Sequence, residues 1–329
     1  MIPFAISRRR LLAGAGLLAL QGQPWASEAG GWPARPIRMV VPGPAGAGSD
    51  IFARLLSVPL QQALKQPVIV DNKPGANGLI GNDIVAKAAP DGYTLLLSPS
   101  SAIAINPVIQ PKMPYDTQKD LLPVAQVGAA GILLVANPAT GIRSLADLIR
   151  HAKASPDKLA CGSWGSGSTG HLVLEGIKAQ YGISIAHVPY KGVSPLVSDL
   201  LGNIIGVGFV DIASPVPHIR SGRLIALGST GSARGPALPE VPTLTEQGYR
   251  SDADGWYGIF APAGTPHEVV VRLNQEINGI LATDEIIQKF AAQNMPRPPI
   301  KDAEQFAATV HRDLGVWQSL AKVAKLRVD

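Results

Sequence analysis

Two glycine-rich loops hold residues whose types and spacing could bind an anion. The first loop spans residues 44–50, between a short apolar run and the start of an apolar helical period. The second spans residues 165–171 and has the same order of apolar run, loop and helix. Such junctions present unpaired backbone N–H groups at the positive end of a helix dipole, and glycine lets a ligand approach closely. Each loop therefore predicts an anion site, with Ser49 or Asp50 as the first N-cap.

Other chemistries are weaker matches to the second loop. Residues 165–170 fit G-x-G-x-x-G, but a dinucleotide site needs an acid about 20 residues further on, and residues 185–188 contain none. Ser168 and His171 lie one helical turn apart and could act as nucleophile and base of an exported hydrolase, although no G-x-S-x-G elbow occurs. The histidines lack metal-ligand spacing, so we expect no metal and no cofactor.

Composition limits the class of protein. The chain has 329 residues, of which 16% are charged, with 35 glycines and 29 prolines, which favours an α/β protein with many short loops and two lobes. Removing Arg8, Arg9, Arg10 and Glu28 with a leader would reduce the net charge from +5 to about +3. No basic cluster remains, so nucleic acid is not an expected partner. The single cysteine, Cys161, excludes an internal disulfide.

Residues 1–29 have the pattern of an export signal. Three arginines at 8–10 precede an apolar stretch at 11–20, and small residues near Ala26 or Ala29 offer a cleavage site. The paired arginines are typical of a twin-arginine signal, and a Sec signal is the alternative. No cysteine follows for a lipid anchor, and no other stretch reaches 18 apolar residues. We therefore expect a soluble periplasmic protein after cleavage.

The remaining chain alternates strands and helices. Between residues 38 and 98 the order is strand, helix, strand, helix, strand, which predicts a parallel sheet. Pro59 should kink or split the first helix. The chain leaves its first lobe before Gly131 and returns at 256–262, so we expect lobe 1 at 30–128 and 253–329, lobe 2 at 129–252, and a cleft between them.

Taken together, these motifs resemble the tripartite tricarboxylate transporter receptors, the Bug family of periplasmic solute-binding proteins. The resemblance runs from Trp32 to the C-terminus. It rests on Trp32-Pro33, Pro36-Ile37, Val40-Val41-Pro42, Gly46 to Asp50, Val70 to Gly75, Pro90 to Leu95, Pro114-Tyr115-Asp116, Gly165-Ser166-Gly167, His171-Leu172, Val188 to Gly192, Val241-Pro242-Thr243, Glu246 and Gly248.

The resemblance implies a two-lobe type II periplasmic-binding fold, each lobe a mostly parallel sheet flanked by helices. It implies a receptor that captures a small carboxylate for a tripartite transporter, held by backbone N–H groups and hydroxyls of two facing loops. The implied ligand-binding residues are Pro44, Ala45, Gly46, Ala47, Ser49, Asp50, Gly165, Ser166, Gly167, Ser168 and His171, with Ser98, Ser101, Lys191 and Asp211 at strand ends. Expected partners are membrane permease subunits or, alternatively, a membrane sensor, and we expect a monomer without enzymatic activity.

Two positions depart from the family pattern. Gly43 stands where the family usually has an aromatic residue, and Ala47 follows Gly46 where paired glycines are usual. Loss of the ring should enlarge or rehydrate the pocket, and the extra methyl group could crowd the backbone near the ligand. The identity of the carboxylate therefore stays open.

Overall fold

A computed structural model describes residues 31–110, 112–156, 158–249 and 255–324 of the chain. The expected signal peptide, residues 1–29, lies outside the described residues.

The first lobe begins with alternating strands and helices. Its elements, in chain order, are β1 (Ile37–Val41), α1 (Gly48–Leu64), β2 (Val68–Asn72), α2 (Leu79–Ala86), β3 (Thr94–Pro99), α3 (Asn106–Ile109), α4 (Thr117–Asp120) and β4 (Leu121–Ala130). A short 3₁₀ turn at Ala76–Gly78 precedes α2, and a π-helical turn at Ser101–Ile105 follows β3.

The chain then builds a second sheet and returns to the first. The second group is β5 (Leu133–Ala136), α5 (Leu145–Ala154), β6 (Ala160–Ser163), α6 (Thr169–Tyr181), β7 (Ala186–Pro189), α7 (Val193–Leu201), β8 (Val207–Val210), α8 (Val216–Arg220) and β9 (Ile225–Ser229). The returning group is β10 (Gly255–Pro262), α9 (His267–Leu281), α10 (Asp284–Ala292) and α11 (Ala303–Ala324).

The two sheets have matching topologies. Their strand orders are β2-β1-β3-β10-β4 and β7-β6-β8-β5-β9. Parallel pairs join β1 to β2 and β3, and antiparallel pairs join β10 to β3 and β4. The second sheet repeats this with β6 paired parallel to β7 and β8, and β5 antiparallel to β8 and β9. In each sheet the reversed strand is the first one after the chain arrives from the other sheet.

This architecture confirms the α/β two-lobe fold class, with each sheet mixed in direction. The lobe boundaries remain a prediction, and β4 extends two residues beyond the expected boundary at 128 to pair Ala130 with Gly255. Helix α1 passes through Pro59 without interruption, so the expected split is absent there. Phe52, Leu56 and Leu60 bury one face of this helix, and that packing offsets the backbone bond that proline removes.

The buried apolar residues form several clusters, of which one spans both lobes and contains Phe52 of α1 and Leu196 of α7. In the second lobe, Leu145, Leu148 and Ala152 of α5 are buried, and the Ser144 hydroxyl accepts the Asp147 amide as the helix N-cap. A smaller cluster joins Leu172 of α6 to Ile105 and to Trp317 of α11. Helix α11 therefore packs on the first lobe and also contacts the second. Within the described ranges, no helix combines the length and apolar character that crossing a membrane requires.

Candidate functional site

A cavity of about 460 Å³ lies between the two sheets and draws its wall from both lobes. The first lobe contributes the loop before α1, the 3₁₀ turn at 76–78 and the ends of β3 and β10. The second lobe contributes the loop before α6, the loop before α7 and the end of β8. Of the expected site residues, the wall includes Pro44, Ala47, Ser49, Ser101, Gly165, Ser166, Lys191 and Asp211.

The first loop brings the N-terminus of α1 to the cavity. The helix begins at Gly48 with Ala47 as N-cap, so the expected N-cap at Ser49 or Asp50 is wrong. Gly48 and Ser49 both line the cavity, and amides in a first helical turn have no partner within the helix. A Cβ on Gly48 would lie 2.8 Å from Asp211 Oδ1 and 2.5 Å from Tyr257 Oη, so only glycine fits here.

Asp50 supports the first loop and does not line the cavity. Its Oδ2 accepts the Gly46 amide at 2.9 Å, and its Oδ1 accepts from Arg54 Nε at 2.9 Å. Burial alone would raise the pKa of Asp50, but hydrogen bonds from Arg54, Gly46 and Asn72 lower it overall. Asp50 was expected to contact the ligand, and its carboxylate is instead occupied within its own loop.

Three other residues of the first lobe also lie outside the cavity wall. The Ala45 carbonyl is used by Ser194, whose Oγ donates to it at 2.8 Å, and Gly46 is held by Asp50. Ser98 faces α2, where its hydroxyl donates to Asn82 Oδ1 at 3.1 Å. Ser101 instead lines the cavity, and its buried Oγ has no hydrogen-bond partner in the part of the chain that is described.

The second loop brings the N-terminus of α6 to the same cavity. Gly165, Ser166 and Thr169 line the wall. Gly165 has φ +147°, a value that residues with a Cβ rarely adopt, and this conformation opens the loop towards the cavity. The Ser163 hydroxyl organises the turn, because it donates to the Gly165 carbonyl at 3.0 Å and accepts from Ser168 Oγ at 2.9 Å.

Ser168, His171 and Gly167 support this loop from behind. Ser168 is the N-cap of α6 and accepts the His171 amide at 3.3 Å. His171 Nδ1 accepts the Gly167 amide at 3.1 Å, so the neutral ring carries its proton on Nε2. These bonds occupy the two groups that the hydrolase alternative would need, and they explain why none of the three residues reaches the cavity wall.

A second imidazole packs against His171. The rings of His171 and His187 stack at 3.7 Å between centroids and 7° between planes. His187 Nε2 lies 2.7 Å from Ser163 Oγ, so the stacked rings are connected to the hydroxyl that also bonds Gly165 and Ser168. Burial lowers the pKa of both residues, and that of His187 falls to about 4, with the charges of His171 and Lys178 adding to the effect. Both rings are therefore neutral at pH 7.

Asp211 and Lys191 are the charged side chains among the described residues of the wall. Asp211 Oδ1 accepts the amides of Ala213 and Ser214 at 2.8 Å each, and its Oδ2 accepts the Ser214 hydroxyl at 2.7 Å. Lys191 is exposed and precedes α7. Burial first, and the charge of Asp211 second, raise the pKa of Tyr257 well above its usual value, so this phenol keeps its proton.

Two hydrogen bonds join the lobes beside the cavity. Ser194 at the start of α7 reaches the Ala45 carbonyl across the cleft at 2.8 Å. Asn77 Nδ2 donates to the Gly167 carbonyl at 3.3 Å and to Asn106 Oδ1 at 2.9 Å. The two glycine-rich loops therefore lie on opposite sides of the cavity while the lobes are in contact.

Sequence reasoning missed several residues of the wall. The wall includes the aromatic residues Trp164, Tyr190, Trp256 and Tyr257 and the polar residues Asn77 and Thr169. Trp164 and Thr169 are next in the chain to residues of the second loop that were predicted to bind the ligand, and this proximity could have identified them. The sequence carried no signal for Trp256 and Tyr257, because two aromatic residues in a strand that connects the lobes are as typical of a hydrophobic core as of a binding site. Among the described residues, no group of histidine, cysteine, aspartate or glutamate is placed to hold a metal ion.

Two α/β lobes closing over a cavity lined by helix N-termini define a two-lobe solute-binding protein. The chain matches the model of the "Tripartite tricarboxylate transporter family receptor" over residues 52–325, and it belongs to that family. This confirms the resemblance found in the sequence and favours the receptor over the hydrolase.

Similar proteins agree with this assignment. Protein BugT of Bordetella pertussis is 40% identical over 316 residues, covering 95% of this chain and 97% of BugT. The structure of the periplasmic binding protein BugD superposes with a TM-score of 0.85 at 30% identity, covering 90% of this chain and 99% of BugD. A structure of an R. palustris protein with adipate has a TM-score of 0.87 at 31% identity, with coverage of 90% and 99%.

Proposed function

We propose that this chain is a periplasmic receptor that binds a small carboxylate between its lobes and delivers it to the permease subunits of a tripartite transporter. The observation that carries the proposal is the meeting of two helix N-termini, at Gly48 and Thr169, in the wall of one cavity. Each N-terminus offers unpaired amides and about half a positive charge. The R. palustris relative that is similar over most of its length holds adipate, which agrees with a carboxylate ligand.

Hydroxyl groups complete the environment of the bound anion. Ser49, Ser101, Ser166 and Thr169 lie in the wall, and each can donate to a carboxylate oxygen. Hydrogen bonds to a charged acceptor contribute roughly 1.5–3 kcal/mol each, so several donors suffice without an ion pair. Lys191 is the alternative, as a point charge at the edge of the cleft.

Native mass spectrometry of the purified chain, followed by titration calorimetry with the ligand identified, tests this proposal. We expect a carboxylate, and about 10- to 100-fold weaker binding by Ser49→Ala than by the wild type. If Lys191→Met alone abolished binding, the carboxylate would be held by the lysine and not by the helix ends. A co-purified ligand without an anionic group would contradict the proposal itself.

The alternative of an exported hydrolase makes a different prediction. Turnover of ester or amide substrates that disappears in Ser168→Ala would favour it. We expect no such turnover, because the Ser168 hydroxyl bonds to Ser163 and the His171 amide, and His171 Nδ1 is occupied by Gly167. If the receptor served a membrane sensor and not a permease, its binding site would be the same and only its membrane partner would differ.

Periplasmic location is part of the proposal and depends on residues 1–29. Changing Arg8 and Arg9 together to lysine should leave unprocessed precursor in the cytoplasm if export uses the twin-arginine route. Normal processing of this double variant would indicate a Sec signal. We further propose that the mature receptor acts as a monomer.

A further inference from the structure

The cavity wall carries little charge and much aromatic surface. We propose that the ligand is a monocarboxylate with a broad aromatic body, and that di- and tricarboxylates bind more weakly. This inference rests on the proposed carboxylate-binding function and narrows its ligand. Three features support it: the charge of the wall, the hydrogen bonds made by the polar groups of its aromatic residues, and the volume of the cavity.

The charge of the wall balances one or two carboxylates but not three. Lys191 and Asp211 cancel each other among the described wall residues, which leaves the N-termini of α1, α6 and α7. At about half a charge each, three helix ends supply roughly +1.5. One carboxylate would leave about +0.5 and two about −0.5, whereas three would leave about −1.5, so the helix ends disfavour a tricarboxylate.

Asp211 adds to this discrimination because of where its carboxylate lies. Gly48 is so close that a Cβ there would be 2.8 Å from Asp211 Oδ1. The chain therefore already places one of its own carboxylates beside the N-terminus of α1. A second ligand carboxylate near this helix end would meet a like charge that the amides of Ala213 and Ser214 hold in place.

Two of the aromatic residues of the wall have their polar groups bonded outside the cavity. Tyr190 Oη donates to Asp199 at 2.8 Å, and Trp256 Nε1 donates to Asp313 at 2.6 Å. Neither acceptor lines the cavity. The wall also contains Leu79, Ile132, Val193, Trp164 and Pro42, Pro44, Pro74, Pro99 and Pro189. An apolar ligand body stabilises binding because such surface is removed from water.

The volume of the cavity is large enough for a ligand bigger than a short aliphatic diacid. Its volume of about 460 Å³ is measured with Ser194 already bonded to Ala45 across the cleft. Pockets of about 300–1,000 Å³ are typical for ligands of drug size. A flat bicyclic acid fits within this volume.

Titration calorimetry with benzoate, 2-naphthoate, adipate and citrate tests the inference. We expect 2-naphthoate to bind at least tenfold more tightly than adipate and citrate, with benzoate between them. Tenfold tighter binding of adipate or citrate than of both aromatic acids would overturn the inference and leave the proposed function intact. Failure of all four acids to bind would count against both.

A variant of one wall residue separates aromatic contact from a general effect on folding. Trp164→Leu keeps an apolar side chain and removes the flat ring, so 2-naphthoate should lose about tenfold in affinity and adipate less. Trp32→Leu is the matched control, since Trp32 packs on Tyr93 at 6.2 Å and lies outside the cavity wall. Equal losses for the two ligands in Trp164→Leu would contradict the aromatic contact.

Discussion

Ser101 lines the cavity and has a buried hydroxyl that lacks a hydrogen-bond partner within the described chain. Leaving a buried polar group unbonded costs about 1–3 kcal/mol, and such groups call for a specific explanation. A bound ligand that accepts from this hydroxyl would remove the cost. We therefore expect Ser101 to lower the stability of the empty receptor and to raise its affinity for the ligand.

The corresponding prediction is that Ser101→Ala weakens ligand binding about tenfold while the free energy of unfolding of the empty protein stays equal or rises. The hydrogen bond to a charged acceptor is lost, but no bond of the empty protein is broken. Titration calorimetry and urea denaturation measure the two quantities. Ser229→Ala is the matched control, because Ser229 Oγ is also buried without a partner and lies outside the cavity wall. Equal affinity losses in both variants would rule out a contact between Ser101 and the ligand.

Gly43 shows how a single departure from the family pattern is accommodated. A Cβ at this position would lie 2.6 Å from Ser49 Oγ, so the serine hydroxyl occupies part of the space next to the glycine backbone. Ala47 takes extended angles, φ −76° and ψ 161°, and its buried side chain belongs to the hydrophobic core. The methyl group therefore does not require the backbone freedom of a second glycine. Whether the pocket is larger or wetter than in relatives stays a prediction.

At the scale of elements, the N-terminus of α6 combines a helix cap with a binding loop. Ser168 caps the helix and also bonds Ser163, and the two imidazoles of His171 and His187 pack behind the same turn. The donors that face the cavity are therefore held by bonds on the opposite side of the loop.

Ser168→Ala should lower the free energy of unfolding by about 1 kcal/mol, because a helix N-cap is lost. It should also weaken ligand binding, because the loop before α6 loses a side chain that orders it. Thr283→Ala removes the cap of α10, where Thr283 Oγ1 accepts the Ile286 amide, and provides the control. We expect similar losses of stability in urea denaturation but an affinity loss in Ser168→Ala only. Unchanged affinity in both variants would show that the cap does not order the binding loop.

The stacked imidazoles predict a pH dependence of stability. Burial lowers the pKa of His171 and His187 in the folded state, with His187 at about 4, whereas unfolded histidine titrates near 6.5. Below pH 6.5 the unfolded chain takes up protons first, so the free energy of unfolding should fall as the pH decreases towards 4. Glu175, with Oε1 3.8 Å from His171 Nε2, opposes this effect, and Lys178 adds to it.

His187→Gln tests that dependence, since the amide can still bond Ser163 but does not titrate. Urea denaturation at pH 7.5 and 5.5 should show a smaller loss of stability on acidification in this variant than in the wild type. His267→Gln, at the start of α9, is the control and should keep the wild-type slope. If the free energy of unfolding changed equally with pH in all three proteins, the imidazole stack would not be the source of the pH dependence.

At the scale of the whole molecule, the two lobes meet through polar and apolar contacts. Ser194 and Asn77 bond across the cleft, and Leu172 packs with Trp317 at another point of contact. Two chain crossings join the lobes, and we expect the lobes to rotate as rigid bodies. We expect ligand binding to favour this closed arrangement, and a radius of gyration in small-angle scattering that is unchanged by saturating ligand would contradict it.

Removing one interlobe bond should shorten the lifetime of the complex. Ser194→Ala loses the bond to the Ala45 carbonyl, and a net contribution of about 1 kcal/mol predicts roughly fivefold faster dissociation with little change in association. Stopped-flow measurement of both rates checks this. Ser198→Ala, four residues along the same helix, removes only a bond to the Ser194 carbonyl and should leave both rates unchanged. If dissociation is unaltered in Ser194→Ala, this bond does not hold the lobes closed.

The sequence by itself predicted the alternation of strands and helices, the family and the two glycine-rich loops. Apolar periodicity, caps and glycine-rich turns act within a few residues, so the strand at 37–41, the helix at 145–154 and its Ser144 cap could be predicted from their neighbours. The family motifs cover most of the chain and indicated the two-lobe fold. They also placed both anion loops at helix N-termini, where the structure has them.

Only the tertiary structure decided which side chains of those loops face the cavity. Asp50 turns back to Arg54 and Ser168 turns to Ser163, because partners for both lie within their own loops. His187 reaches the second loop from a strand 24 residues beyond Ser163. The aromatic wall joins Trp164 in one lobe to Trp256 in the other. Contacts between distant segments depend on how the lobes dock, and no local periodicity encodes that docking.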